Sequence, residues 1–188
     1  MMLSSRLIEV RPGNARLARI RLTTVALALL AFAAVARAGR TPTVPANLQV
    51  PATQVVAFHA YAAGVQIYVC DPTKPSWTFK APEATLYDAD GNVVGMHYAG
   101  PTWESASGGK VVGKVLQRSP SPDPNAIPWL LLQAVSNEGP GVFARVTYIQ
   151  RINTSAGKAP IDGCDEVNAG VELRMPYTAE YYFYRAQP

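Results

Sequence analysis

From Leu48 to the C-terminus the apolar residues come in short β-branched and aromatic runs. Gly, Pro, Asn or Asp interrupts them every few residues. No stretch there sustains the spacing of three and four that an amphipathic helix needs, so the chain must build its core from strands. Val65, Ile67 and Val69 alternate with Gln66, Tyr68 and Cys70, and the same alternation runs from Val142 to Asn153, which predicts one long strand. Further strands are expected over 54–63, 77–80, 84–87, 93–97, 102–105, 111–117, 127–134, 171–175 and 179–185. Asp88–Asn92 holds an Asp-Gly pair, which supplies the positive φ of a tight hairpin, and Ala106–Gly109 is a second reversal. Pro120, Pro122 and Pro124 exclude regular pairing over 118–126. The resulting expectation is an all-β, single-domain antiparallel sandwich or barrel-like fold with little helix outside the N-terminal segment. Jelly roll, sandwich and barrel share this pattern, so strand order stays open.

The N-terminus has a different composition. Arg6, Arg11, Arg16, Arg19 and Arg21 precede an uncharged apolar run, Leu22–Val35, which ends in Ala36-Arg37-Ala38. That run is shorter than the roughly 20 residues of a membrane-spanning helix, and it closes on a small-x-small cleavage pattern. Residues 1–38 therefore read as a cleaved signal peptide, 39–47 as a flexible leader and 48–188 as the β-rich domain. The expected location is secreted or periplasmic, with no membrane span in the mature form. Of the 17 basic residues, six lie in 1–38, leaving 11 against 12 acids. The basic character of the whole chain is thus an export feature, and a nucleic-acid partner is not expected. Cys70 and Cys164 are an even pair in a chain bound for an oxidising compartment and are expected to form a disulfide.

Gly95–Trp103 (Gly-Met-His-Tyr-Ala-Gly-Pro-Thr-Trp), Ile127–Leu131 (Ile-Pro-Trp-Leu-Leu), Tyr148–Arg151 (Tyr-Ile-Gln-Arg) and Gly163–Asp165 form a further set of motifs. In them the chain resembles the DUF3455 family, over nearly the whole of the mature part. The resemblance implies an exported β-rich domain of unknown function and carries over no catalytic residue.

The densest polar and aromatic cluster is His97, Tyr98, Trp103 and Glu104. It is the candidate site, either for a small-molecule or glycan ligand or for a base with an orienting acid, although the same residues also suit packing. His97 is expected on the same face as Gly95 and Val93. His59 and His97 are weak metal candidates without chelating spacing, and no cofactor is expected. Asp88, Asp90 and Asn92 lack the distant glutamate of a calcium loop and read as a turn. Ser105 and Ser107 lack a nucleophile elbow, and no phosphate loop or dinucleotide fingerprint is present, so no nucleotide is expected. Trp77, Trp103 and Trp129 offer either a stacking platform or core. The leading expectation is a non-enzymatic ligand-binding or envelope-associated β domain. The alternative is a small extracytoplasmic enzyme or metal-binding protein using His97 with Glu104 or Asp165. A third reading is self-association through sheet edges.

Overall fold

A computed structural model describes residues 41–188 apart from Pro72 and Pro75, so the signal peptide read over 1–38 lies outside the described residues. Eight strands follow one another: β1 Gln54–Asp71, β2 Ser76–Tyr87, β3 Val93–Tyr98, β4 Thr102–Ser105, β5 Lys110–Ser119, β6 Trp129–Glu138, β7 Tyr148–Ala156 and β8 Glu172–Ala186. Each pairs antiparallel with the next and β8 returns to β1, which closes an up-and-down barrel. A single 3-10 turn, Ala46–Leu48, is the one helical element among the described residues. Of the architectures that the sequence left open, closure selects the barrel. Closure gives every strand two neighbours, so the sheet edge open to the self-association expected from the sequence is confined to partly paired stretches. The first part of β2, 76–83, and the last part of β5, 114–119, are such stretches, each paired to one neighbour only.

Three pairs of expected strands merge. β1 runs through Gly64, where a Cβ would lie 2.1 Å from the Glu83 carbonyl oxygen, so the glycine is a point of close approach to β2 and not a turn. β2 runs through Pro82 because that stretch is paired on one side only. Val171–Met175 and Ala179–Arg185 likewise belong to the single strand β8. In the other direction, the long strand expected from Val142 begins only at Tyr148. Residues 142–145 instead form a turn that places Phe143 and Val146 in the core. A register shift at Leu86/Tyr87 breaks the alternation in β3, so Gly95 and His97 are buried while Val93 is 58% exposed.

The two ends of the barrel differ. At the end carrying 88–92, 106–109 and 139–147, Phe143 and Val146 plug the interior against Phe58, Leu86, Val111, Ile149 and Phe183. Asn137 Nδ2 fixes the plug by donating to the carbonyls of Phe143 and Val146 at 2.7 and 3.2 Å. Outside the barrel, Leu48 is fully buried with Trp129, Leu131 and Ile152, and Val44 and Val50 pack beside it. Gln150 Nε2 donates to the Leu48 carbonyl at 2.6 Å, and Tyr184 Oη donates to Gln150 Oε1 at 2.6 Å. The last part of the leader expected over 39–47 is thus seated on the barrel, since burying a leucine outweighs the entropy of a short tail.

The other end carries the β3–β4 turn and the long β5–β6 and β7–β8 connections. There Cys70 at the end of β1 and Cys164 in the β7–β8 connection form a disulfide, as expected, across a sequence separation of 94 residues. The same connection is held by Cys70 N to Val171 O and by Trp77 Nε1 to Asp162 O, both at 3.0 Å. Cys70→Ala/Cys164→Ala is expected to lower stability by about 2–4 kcal/mol, chiefly by freeing the unfolded chain. A urea titration measures this, and an unchanged midpoint would show that the bridge leaves the unfolded ensemble unconstrained.

Candidate functional site

Pleating divides the expected cluster in two. His97 of β3 and Trp103 of β4 are register partners facing the barrel interior, 3% and 1% exposed. Tyr98 and Glu104 face outward, where Tyr98 Oη donates to Glu104 Oε2 at 2.6 Å. Glu104 therefore does not orient His97. Asp165 is engaged elsewhere, accepting from the Asn168 backbone and side chain in the β7–β8 connection. Ser105 and Ser107 hydrogen-bond each other at 2.9 Å.

His59 lies on the outer surface, stacked on Tyr182 at 4.1 Å, with Nε2 3.0 Å from Glu180 Oε2. It does not share a face with His97. No group of three His, Cys, Asp or Glu side chains able to hold a metal ion occurs among the described residues. Asp88 accepts from the backbone of Asp90 and Asn92, which holds the expected hairpin turn. Its hydrogen bonds, that from the Asn92 side chain first, keep its carboxyl below the usual range. The three tryptophans form no common platform: Trp103 is inside, Trp129 is in the outer cluster and Trp77 is at the disulfide end.

The interior surface around His97 and Trp103 is part of a cavity of about 350 Å³. It lies towards the disulfide end, where the short β3–β4 hairpin stops at Gly100 and Pro101 while β2 and β5 continue past it. Strand pairing positions its key residues. Arg151 of β7 sits opposite Tyr181 of β8 on one side and Leu130 of β6 on the other, and Gln66 and Tyr68 come from β1. The His97 and Trp103 rings stack at 4.4 Å with an 8° interplanar angle, and Tyr181 meets both edge-on. This makes a flat aromatic wall. Leu130, Leu132, Val115 and Ile127 extend the apolar lining.

The polar groups of the cavity are incompletely paired. His97 Nδ1 lies 2.8 Å from the Thr102 carbonyl, which can only accept, so Nδ1 carries the proton and Nε2 is the bare nitrogen. Burial lowers the imidazole pKa to about 3, against the Thr102 hydrogen bond, which raises it, and with help from the Arg151 charge. Arg151, 8% exposed, donates through Nε and Nη2 to one acceptor, the Pro128 carbonyl, at 3.2 and 2.8 Å. It makes no ion pair among the described residues; the ion pairs there are His59–Glu180, Lys80–Glu172, Lys110–Glu138 and Arg174–Glu83. Gln66 Nε2 and Trp103 Nε1 are buried without any hydrogen-bond partner. The lining contains Arg151, Arg118 and Lys80 and neither Asp nor Glu. Burial raises the Tyr68 and Tyr181 pKa values, and the Arg151 charge pulls each back, so its field extends across the cavity.

Three of these residues, Gln66, Arg151 and Tyr181, are absent from the cluster expected from the sequence. A signal for Arg151 was present. It shares the alternation of Ile149, so a guanidinium occupies the position after a core isoleucine on the inward face. Gln66 and Tyr181 had no comparable mark, because their role depends on which strands the barrel brings together.

No curated protein and no solved structure matches the chain. The model of a family of proteins of unknown function, DUF3455, matches residues 51–185, and the chain belongs to that family.

Proposed function

We propose that the protein is an exported, non-enzymatic binder of a small organic molecule, held in the open end of the barrel. The observation that carries this reading is the cavity itself: about 350 Å³ of largely apolar, aromatic-walled space with buried donors that lack partners. A pocket of this size with a few convergent polar groups suits one small ligand. Unsatisfied donors are costly in a core, but a ligand acceptor would complete them. The Cys70–Cys164 disulfide fits an oxidising compartment, in keeping with export by the segment 1–38. The enzyme alternative is the weaker reading. A histidine whose pKa is lowered to about 3 is a poor general base near neutral pH, and no carboxylate or nucleophilic hydroxyl hydrogen-bonds to it.

Titration with the neutral dye N-phenyl-1-naphthylamine tests this directly. Saturable binding of one dye per chain is expected, with at least a tenfold loss in Val115→Trp, whose indole fills the cavity, while cooperative unfolding is kept. Dye binding that is indifferent to Val115→Trp would place the ligand elsewhere or nowhere.

A further inference from the structure

We infer that the ligand is an organic monocarboxylate with a flat apolar body, its carboxylate held by Arg151 and Gln66 and its body against the His97–Trp103 wall; this rests on the barrel-cavity reading above. Arg151 is the anchor. Nε and Nη2 each spend one hydrogen on the Pro128 carbonyl, so the other pair of parallel N–H groups, one on Nη1 and one on Nη2, meets no carbonyl or carboxylate and has only the Tyr181 hydroxyl beside the guanidinium. That edge matches the two oxygens of a carboxylate in a bidentate fork. A guanidinium 8% exposed, in a cavity whose lining has no acid, is a buried charge awaiting its counter-ion. Glutamates and aspartates are not scarce in the chain, and three of its other cationic side chains, Lys80, Lys110 and Arg174, have found one.

The second observation is independent of the first. Gln66, 2% exposed, lines the same cavity and its Nε2 has no partner. Two donor groups, one charged and one neutral, suit a single negative charge better than a phosphate, which is served by several charges or a nest of backbone amides. Lys80 is already paired with Glu172, and Arg118 is an exposed residue of the outer lining, placed to draw an anion inward. His97 stays neutral and adds no second cation at depth. Its ring and that of Trp103, parallel within 8°, offer a planar group a planar surface.

Isothermal titration of the protein with phenylacetate, phenylacetamide and phenyl phosphate tests the inference. Phenylacetate is expected to bind at least tenfold more tightly than either of the others. Arg151→Met should erase that preference, and Arg151→Lys should restore only part of it. Because Arg151 also holds the Pro128 carbonyl, Gln66→Leu provides a check that does not depend on that contact. It removes an unpartnered buried amide, so its urea midpoint should not fall, while phenylacetate affinity drops several-fold. A residue that served packing alone would show the opposite pattern. Equal binding of acid and amide, in the wild type and in Arg151→Met, would overturn the carboxylate class while leaving the cavity reading intact. Tighter binding of phenyl phosphate would likewise overturn it. Failure of all three and of the neutral dye would overturn the cavity reading itself.

Discussion

Deletion of Tyr177–Pro188 is expected to leave a chain without a cooperative unfolding transition. β8 is paired to β1 along Gln54–Val69 and to β7 along Tyr148–Ala156, so it is the strand that closes the barrel. Its removal converts a closed sheet into one with two unprotected edges. It also removes Tyr177, Tyr181, Phe183 and Tyr184, each no more than 3% exposed. At about 1.5–3 kcal/mol for each large buried side chain, the loss is roughly 6–12 kcal/mol. That matches the whole stability of an ordinary domain, about 5–15 kcal/mol. The effect is not confined to the closed end, because Tyr181 also forms part of the cavity wall. Near-ultraviolet circular dichroism across a urea titration checks the prediction. Deleting only Gln187 and Pro188, which costs the single bond from Gln187 N to the Thr53 carbonyl, should preserve the transition. A Tyr177–Pro188 deletion that unfolds at the wild-type midpoint would show that the first seven strands are self-sufficient.

What the sequence conveys about this molecule is governed by how local each feature is. The Asp88–Asn92 hairpin was legible because a turn is specified by adjacent residues, and the β4–β5 reversal for the same reason. The disulfide was legible because a chain with two cysteines has one intramolecular pairing open to it. The continuity of β1 through Gly64 was hidden, since that glycine answers to Glu83 and Ala84 on another strand. The start of β7 was hidden by an alternation from Val142 that is real in sequence but bends into a turn, because Phe143 and Val146 are needed to plug the barrel. The site divides along the same line. His97 and Trp103 stood out as a pair near each other in the chain, but spacing alone could not exclude Tyr98 and Glu104, which the pleat turns outward. Arg151, Gln66 and Tyr181 come from three strands, and only the closed topology makes them neighbours.

The inward placement of His97 has a consequence for acid stability. In the unfolded chain its imidazole titrates near the ordinary 6.5, whereas in the barrel its pKa is lowered to about 3. Between these values the unfolded state binds a proton that the folded state refuses. Stability from this group is therefore fully present above pH 6.5 and is lost as pH falls from 6.5 towards 3. At about 1.36 kcal/mol for each pH unit between the two values, the loss reaches roughly 4–5 kcal/mol at the acid end of the window. The groups that face the ring reinforce the direction: Trp103 stacks on it, Tyr181 meets its edge, Arg151 opposes a second positive charge, and the cavity lining has no carboxylate to stabilise an imidazolium. Asp71 and Asp88, whose hydrogen bonds hold their carboxyls below the usual range, also contribute stability that is lost on acidification, so the wild-type curve alone does not isolate His97. Comparison with His97→Gln does, since glutamine retains an N–H for the Thr102 carbonyl and does not titrate. The variant should be less stable at pH 7, having lost the stack on Trp103, yet its urea midpoint should decline less steeply between pH 6.5 and 4. Parallel curves for the two proteins would mean that the ring accepts its proton in the folded state, and would place a counter-ion or solvent against Nε2 that the closed cavity wall does not provide.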